Sequence, residues 1–424
     1  MNSPALASHY SAVVVGGGQA GLSASHYLKR HGIDHAVFEK KTVAHKWRDE
    51  RWDAFCLVTP NWQCQLPDHA YDGDDPHGFM VKDEILAYVD RFVRKVNAPV
   101  FEHTAVNRIE KRGALFHVET AAGSVTADSV VLATSLYAEP AIPRAAERLP
   151  DTIVQMHTAA YRNPAQLPEG AVVVVGSGQS GCQIAEDLHL AGRKVHLVTG
   201  NAPRCARFYR GRDVVDWLDD IGQYDITVEQ DGMAKKTHDT NHYLTGRDGG
   251  RDIDLRRFAL EGMALYGRMT GVSGGTMLFQ PNLAANLDGA DRVYNGINAL
   301  IDRHIAEKGI EAPEGGVYAP VWRPESEPRA LDLAAEGVSA VIWATGFTPD
   351  WSFVSLPIFD GSGYPVHRRG VTPVAGAYVL GLPWLWTWGS GRFLSVGRDA
   401  EHVVGRLAEG LAAGATPMKQ AAGA

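Results

Sequence analysis

The sequence predicts an α/β protein built around two parallel sheets, because one glycine-rich pattern occurs twice in it. The first copy is AVVVGGGQAG at residues 12–21, and the second is VVVVGSGQSG at residues 172–181. In each copy a run of β-branched residues precedes the glycines and a helix-like stretch follows them, which is the context that this pattern requires. The likeness continues downstream, where Leu28 and Gly32 align with Leu188 and Gly192. One βαβ unit is therefore used twice.

The glycines predict a nucleotide site in each unit. In such a unit the glycines allow a tight turn, close approach of a pyrophosphate and close helix–strand packing, and the helix N-terminus faces the phosphates. Glu39 stands 23 residues after Gly16, where an acid accepts hydrogen bonds from a ribose diol. Thr199 has the same offset from Gly176 and lacks the charge that would repel a 2′-phosphate. We therefore expect two different dinucleotides.

The remaining elements follow from hydrophobic spacing. The first unit spans about residues 10–40, and a loop-rich aromatic segment follows at 46–80. The other predicted elements are a helix over Lys82–Val96, strands at 101–109, 115–120 and 124–132, the second unit at 171–199, helices at 213–221, 251–268 and 295–308, a buried strand at 338–347, and a helix from about Asp399.

This order predicts two Rossmann-like dinucleotide-binding domains of the three-layer ββα type, one inserted in the other. Residues 1–165 and 330–424 are expected to form the first domain. Residues 166–329 are expected to form the second, with a helical insertion.

Composition excludes several classes of protein. The 424 residues carry a net charge of −8 without a basic run, so nucleic acid is not an expected partner. No apolar stretch is long enough for a membrane span, and the N-terminus lacks an export signal, so we expect a cytoplasmic protein. The four cysteines have no metal-binding or C-x-x-C spacing. Cys56 and Cys64 are interpreted as buried hydrophobes, with a redox pair as the alternative.

Nearly the whole chain resembles the class B flavoprotein monooxygenases. It is most similar to flavin-containing and YUCCA-type enzymes and to a bacterial branch often labelled as flavoproteins of potassium transport. The resemblance is carried by WRDERWD at 47–53, TPNW at 59–62, the second glycine motif, ATGF at 344–347, GLPW at 381–384 and GRDA at 397–400.

The resemblance implies FAD in the first domain and NADPH in the second. It further implies that O2 forms a C4a-(hydro)peroxyflavin, which oxygenates a small nucleophilic substrate, first of all one containing nitrogen. S-oxygenation and oxidative decarboxylation of a 2-oxo acid are alternatives. The same motifs also fit an NAD(P)H-dependent flavin oxidase or reductase that releases H2O2, or a nucleotide-sensing flavoprotein without turnover. A homodimer is a further expectation.

One hallmark of the class is only half present. The pattern F-x-G-x-x-x-H-x-x-x-(W/Y) normally precedes the second glycine motif. Here His157 and Tyr161 occupy their places, whereas Asp151 and Ile153 replace the Phe and the Gly. This departure puts Baeyer–Villiger chemistry and the domain-linking role of the motif in doubt.

The resemblance assigns Asn61 and Trp47 to catalysis, with the Asn61 amide beside the flavin and Trp47 covering it. The alternative for Asn61 is a cap of its own turn. Arg204 and Arg207 could clamp a 2′-phosphate. The candidate cofactor-binding residues are Gly16, Gly18, Gln19, Ala20, Gly21, Glu39, Lys40, Trp47, Arg48, Thr59, Val106, Ala133, Thr134, Phe393 and Asp399 in the first domain, and Gly176, Ser177, Gly178, Gln179, Ser180, Thr199, Arg204, Arg207, Ala344, Thr345 and Gly346 near the second motif.

Three tryptophans near the C-terminus alternate along the chain. If the backbone is extended there, Trp384, Trp386 and Trp388 share one face. They could roof the flavin or line a substrate pocket. Ordinary packing or an oligomer interface is the alternative.

Overall fold

The computed structural model describes residues 6–230 and 241–415. The strands are β1 His9–Val15, β2 His35–Phe38, β3 Gln65–Leu66, β4 His69–Ala70, β5 Val100–Phe101, β6 Val106–Arg112, β7 Leu115–Thr120, β8 Gly123–Leu132, β9 Glu139–Pro140, β10 Val154–His157, β11 Ala171–Val175, β12 Val195–Val198, β13 Phe208–Tyr209, β14 Arg212–Asp213, β15 Ala264–Tyr266, β16 Met269–Ser273, β17 Thr276–Phe279, β18 Ala330–Asp332, β19 Val338–Trp343, β20 Phe347–Thr348, β21 Val354–Ser355 and β22 Ala377–Val379. The helices are α1 Gln19–Arg30, α2 His45–Asp49, α3 Lys82–Val96, α4 Gln179–Leu190, α5 Val214–Asp220, α6 Leu255–Leu260, α7 Leu283–Lys308 and α8 Val396–Ala415.

The first glycine motif lies in a mixed sheet with the order β21-β6-β7-β8-β1-β2-β5, in which β22 also pairs with β8. The central β1 pairs in parallel with β2 and β8, so its apolar run is covered on both faces. Helices α1, α3 and α8 cover one face, where Leu28, Tyr88 and Val403 are among the buried residues. The other face packs against the loops around Phe353 and Ile358.

The second motif lies in a parallel sheet with the order β10-β19-β11-β12-β15. Residues of α4, α6 and α7 cover one face, where Leu188, Phe258 and Leu287 are buried. The antiparallel sheet β16-β17-β18 covers the other, where Val272 and Met277 are buried. This is the predicted three-layer ββα arrangement, and the α/β fold class is confirmed.

The predicted domain boundaries need correction. Strands β10 and β19 lie in the segments expected to belong to the first domain, before residue 165 and after residue 330. The structure instead pairs β10 with β19 in the second sheet. The chain therefore enters the second sheet at Val154 and leaves it at Trp343. The pairing partner of each strand decides this, and a run such as VSAVIW does not reveal in which sheet it lies.

Two predicted helices also differ. The helix expected at 251–268 is the short α6, after which the chain continues as β15. The helix expected from residue 295 begins at Leu283. Within the described ranges, no helix is both long and apolar enough to cross a membrane.

Candidate cofactor and substrate site

The first glycine turn is shaped by close backbone contacts. Gly16 has φ +110°, and a Cβ there would lie 2.6 Å from the Ala133 carbonyl oxygen. A Cβ at Gly21 would lie 1.9 Å from the Gly16 carbonyl oxygen, so helix and strand approach as the motif predicts. By contrast, a Cβ at Gly18 would meet nothing within 4 Å. The open space therefore faces the N-terminus of α1, where a pyrophosphate would bind.

Glu39 closes the far end of this turn. Its Oε2 accepts from the Gly17 N–H at 2.7 Å, and its Oε1 accepts from the Lys41 N–H at 2.8 Å. Each carboxylate oxygen retains a lone pair for a ribose hydroxyl. Glu39 and Lys40 both line the large cavity described below.

The second glycine turn repeats the same backbone. Gly176 has φ +110°, and a Cβ there would lie 2.5 Å from the Ala344 carbonyl oxygen. A Cβ at Gly181 would again lie 1.9 Å from the carbonyl oxygen of the first glycine, Gly176. Ala344 thus lies against the second turn as Ala133 lies against the first, and Thr345 and Gly346 follow it directly.

The end of the second strand differs from Glu39. The Thr199 hydroxyl is buried and donates to the Tyr266 carbonyl oxygen at 2.7 Å, so it does not face a ribose. The Ser177 hydroxyl instead accepts from the Gly200 N–H at 2.9 Å. The strand end therefore carries no negative charge, as predicted from Thr199.

A cavity of about 1420 Å³ joins the candidate sites. It begins at the first glycine turn, passes Trp47 and Thr59, and continues between α5 and α7. Of the second motif, Gln179 is the residue that lines it. The predicted residues on its wall are Gly16, Gly18, Gln19, Ala20, Glu39, Lys40, Trp47, Thr59, Val106, Ala133, Thr134, Gln179 and Phe393.

Two glutamines at the helix starts hold this cavity in shape. The Gln19 amide donates to the Gly391 carbonyl oxygen at 2.6 Å and accepts from the Trp47 indole N–H at 3.0 Å. The Gln179 amide donates to the Leu244 carbonyl oxygen at 2.5 Å. Trp47 also stacks on Phe393, with ring centroids 4.9 Å apart. Each motif glutamine therefore connects its helix to a distant loop of the cavity wall.

The residues of the first site fit a dinucleotide such as FAD. The Thr134 hydroxyl is buried in the wall without a hydrogen-bond partner, which leaves it available to a ligand. Asp399 lies in the first turn of α8, behind the wall, and its Oδ2 is also unpartnered. Burial raises the pKa of Asp399 to about 6, against hydrogen bonding from Ser390. These groups, the open space at Gly18 and the Glu39 carboxylate are the features that such a ligand would use.

Asn61 does not occupy the position that the resemblance implies. Its amide donates to the Asp75 carbonyl oxygen at 2.9 Å and accepts from the Met80 N–H at 2.7 Å. It is buried and does not line the cavity, so the structure favours the alternative in which it holds a turn. Gln63, two residues later, lines the cavity and is 2% exposed, and its amide lies beside the Tyr224 phenol. The amide of this segment that faces the cavity therefore belongs to Gln63.

The arginines proposed for phosphate binding also need correction. Arg204 is 2% exposed and pairs with Asp254 at 3.5 Å and Asp291 at 3.0 Å. Arg207 is fully buried and donates to Asp213 and to the Val58 carbonyl oxygen. Neither residue lines the cavity, because ion pairs with internal aspartates hold both guanidinium groups inside the protein.

Arg48 is likewise directed away from the cavity. It forms an ion pair with Asp90 of α3 and donates to the Val43 carbonyl oxygen. It therefore stabilises the packing of α2 on α3. The neighbouring Arg51, which the sequence analysis did not single out, lines the cavity and lies over the rings of Trp47 and Phe55 at 5.0 and 5.3 Å.

The two residues of the half-present hallmark, His157 and Tyr161, form hydrogen bonds beside the second sheet. His157 donates through Nε2 to the Gly346 carbonyl oxygen at 2.8 Å and accepts at Nδ1 from the Ala159 N–H. Burial lowers the pKa of His157, which favours this neutral form. The Tyr161 hydroxyl donates to Asp187 of α4 at 2.7 Å. These two residues thus hold the incoming linker against the second sheet without the Phe and the Gly.

The three tryptophans do not share a face. Trp384 has φ +54°, so the segment turns rather than runs extended. Trp384 and Trp388 line the cavity, whereas Trp386 lies beneath the Arg369 guanidinium at 4.9 Å. Because the backbone turns at Trp384, the alternation in the sequence does not place the three side chains on one face.

All four cysteines are free and buried. Burial raises the pKa of Cys64 to about 12, which disfavours a thiolate. Among the described residues, no group of histidines, cysteines and acids could hold a metal ion.

The chain is similar to oxidoreductases and to flavin-containing monooxygenases. The pyridine nucleotide-disulphide oxidoreductase family matches residues 13–223. An uncharacterized CzcO-like oxidoreductase of Geobacillus kaustophilus is 31% identical over 399 residues, which cover 92% of this chain and 96% of the relative. The indole-3-pyruvate monooxygenase YUCCA1 of rice (Oryza sativa) is 30% identical over 194 residues, 45% of this chain and 48% of that protein. Among solved structures, a flavin-containing monooxygenase of Stenotrophomonas maltophilia has a similar fold, with a TM-score of 0.63, 20% identity, and coverage of 95% of this chain and 99% of that one.

Proposed function

Because this chain belongs to the CzcO-like oxidoreductases, a branch of the flavin-dependent monooxygenase family, we propose that it uses FAD, NADPH and O2 to transfer one oxygen atom to a small organic substrate. The observation that carries the proposal is the continuous cavity. It joins the first glycine turn, Gln179 of the second and an apolar arm between α5 and α7. Cofactor, coenzyme and substrate can meet there.

The bound groups would supply the redox chemistry. Bound FAD and NADPH would supply hydride transfer and O2 activation, and the residues of the chain would position the reactants and exclude water. The first glycine turn, Glu39 and Thr134 would bind FAD, and Gln179 would face the coenzyme. Trp47 and Phe393, stacked on each other, would cover one side of the flavin.

Gln63 replaces Asn61 as our candidate for the amide near the reacting oxygen. The Gln63 amide has two donor hydrogens, so one can serve the neighbouring Tyr224 phenol and the other a ligand in the cavity. We propose that Gln63 donates to the oxygen that is transferred. A Gln63→Leu change would remove this donor at similar volume, so NADPH and O2 consumption should continue while more H2O2 escapes.

Substrate class remains a proposal. A nitrogen nucleophile is the first candidate, with S-oxygenation and oxidative decarboxylation as alternatives. The rice relative is named for indole-3-pyruvate, a planar aromatic acid, which supports keeping the last alternative.

The proposal is tested by following NADPH, O2 and H2O2 together in the FAD-loaded protein. A monooxygenase should consume NADPH and O2 equally, and a true substrate should lower the H2O2 released and acquire one atom from isotopically labelled O2. Stoichiometric H2O2 with every compound would instead identify an oxidase. Tight NADPH binding without turnover would identify a nucleotide sensor.

A further inference from the structure

The apolar arm of the cavity has the composition of a site for an organic substrate. It extends beyond Gln63 between two helices. Its wall includes Val214 and Leu218 of α5, Leu244, and Val293, Ile297 and Leu300 of α7. The acids on the cavity wall, Glu39, Asp49, Glu50, Glu139 and Asp350, belong to the first domain. The arm itself is thus apolar and free of carboxylates among the described residues.

Flat rings form one side of this arm. Trp388 and Tyr224 both line the cavity, with ring centroids 4.7 Å apart. Gln63 lies beside the Tyr224 phenol. A planar molecule can stack on such a surface.

A cation lies on the same rings, and no carboxylate of residues 6–230 or 241–415 forms an ion pair with it. The Arg392 guanidinium lies over Trp388 at 4.1 Å. It donates to the Trp388 carbonyl oxygen and, at 2.7 Å, to Asn241 Oδ1, both of which are neutral acceptors. Within residues 6–230 and 241–415, Arg392 makes no ion pair with a carboxylate.

The fully buried arginines of this protein have acidic partners, whereas the half-buried Arg392 has only neutral acceptors among the described residues. Arg204, Arg207 and Arg256 each pair with at least one aspartate. A guanidinium that loses water normally gains such a partner, because its charge is otherwise costly to bury. Burial lowers the pKa of Arg392, which is the direction expected when no acid opposes desolvation.

We propose that Arg392 binds a carboxylate of the substrate while the apolar arm and the Trp388–Tyr224 rings hold a planar apolar body. This inference rests on the proposed function, since it names the substrate class of the same cavity. A guanidinium pairs with a carboxylate through two parallel hydrogen bonds, which a neutral amide cannot match. The group that reacts would lie at the other end of the body, toward Gln63.

The test is a binding measurement on the FAD-loaded enzyme without NADPH. Cinnamate and cinnamamide have the same planar body and differ in the charged group. We expect the parent protein to bind cinnamate about 10- to 100-fold more tightly than the amide, the effect of a charge-assisted hydrogen bond. Arg392→Gln should remove this preference and leave amide binding unchanged, and Arg392→Lys should keep part of it.

Arg368→Gln is the matched control, because Arg368 is exposed and pairs with Glu229. It should bind both probes as the parent does. FAD content and thermal unfolding of each variant report on its fold, and the comparison of the two probes on the parent needs no variant at all.

Equal binding of cinnamate and cinnamamide by the parent would overturn the inference. So would an Arg392→Gln variant that loses affinity for NADP+ or FAD but keeps it for cinnamate, since the guanidinium would then serve a phosphate. Because this experiment measures binding and not turnover, a flavin oxidase with the same carboxylate site would give the same result. Conversely, preferential oxygenation of a neutral amine over planar carboxylic acids by the parent would refute the inference and leave the proposed function intact.

Discussion

The two glycine turns have the same backbone but different surroundings. Gly16 and Gly176 share φ +110°, and each lies against the carbonyl oxygen of an alanine that ends another strand, Ala133 or Ala344. At the end of the following strand, Glu39 turns its carboxylate toward its own glycine loop. At the corresponding place, Thr199 turns inward and Ser177 completes the loop.

This difference shows which part of the motif is general and which part is specific. The backbone positions depend on space and φ, which glycine alone satisfies in both copies. The strand end depends on one side chain, which either offers a charge to a ribose or does not. Four predictions challenge or refine this contrast, from the largest expected effect to the smallest.

The largest effect is expected from adding a methyl group at either turn. Gly16→Ala would place a Cβ 2.6 Å from Ala133 O, and Gly176→Ala would place one 2.5 Å from Ala344 O. Each backbone must shift because the clash is with a carbonyl oxygen of another segment, and the pyrophosphate cradle shifts with it, which should abolish dinucleotide binding there. Gly16→Ala should lose FAD, measured as flavin absorbance, whereas Gly176→Ala should retain FAD and lose reduction by NADPH. Gly32→Ala has open space and a φ of +66°, and it controls for a methyl group at a positive-φ glycine without the backbone clash. Loss of FAD from both motif variants would show that the turns do not act separately.

The next effect concerns Arg207, which the sequence analysis assigned to a phosphate. Arg207→Met would leave Asp213 buried without its partner, at a cost of about 3–5 kcal/mol. We expect a large drop in the unfolding temperature and no change in the preference for NADPH over NADH. Arg212→Met, which removes a half-exposed pair with Asp220, should cost about 1 kcal/mol or less. A normal unfolding temperature with a selective loss of NADPH affinity would restore the phosphate role.

The third prediction concerns a difference between α1 and α4, the helices that follow the two glycine turns. In α4 the buried Glu186 occupies the place that His26 holds in α1. Burial raises the pKa of Glu186 from 4.5 to about 7, although Arg251 and Arg247 oppose the shift. Its charge therefore destabilises the folded state progressively as the pH rises from 4.5 to about 7.

Above pH 7 the Glu186→Gln variant should therefore be more stable than the parent by about 1–3 kcal/mol in the free energy of unfolding, and its unfolding temperature should be higher. Below pH 4.5 the two proteins should have the same stability. Thermal unfolding across the pH range measures this difference. Glu119→Gln, at an exposed site on β7, should follow the parent throughout. A variant less stable than the parent at high pH would mean that the pair with Arg251 outweighs desolvation.

The smallest effect is expected at the strand end itself. Glu39→Gln keeps the acceptor for Gly17 N–H but loses the charge that favours a ribose diol. FAD affinity, measured by titrating the apoprotein, should fall about tenfold, which is the scale of one charge-assisted hydrogen bond. Lys40→Gln removes a neighbouring exposed charge paired with Glu139 and should change affinity less. Unchanged affinity in Glu39→Gln would show that a neutral acceptor suffices at this position.

Local patterns predicted much of the fold. The helix Lys82–Val96 and the strand Leu115–Thr120 lie at their expected bounds, because apolar spacing along a single element reports directly which face is buried. The boundary near residue 165 was misplaced because strand pairing is a property of two distant segments. Periodicity also could not show that the chain from 251 turns into β15 after one short helix.

The candidate site was predicted in part for the same reason. Gly16 and Glu39 line the cavity, as their motif spacing indicated, and Trp47 lines it as the resemblance implied. Asn61 and Gln63 lie two residues apart in one loop, and nothing in the spacing says which amide faces inward. Arg392 directly precedes the predicted cofactor-binding residue Phe393, and only the placement of residues 6–230 and 241–415 shows that no carboxylate among them pairs with it.

The sequence by itself determined the two glycine turns, the elements that flank them and the absence of an acid at the second strand end, because each depends on residues close together in the chain. The tertiary structure alone decided which polar side chains are already satisfied. Arg204 and Arg207 appeared free for a phosphate until Asp254, Asp291 and Asp213 were found beside them. A charged side chain can bind a ligand only if no closer partner neutralises it, and that partner can come from any part of the chain.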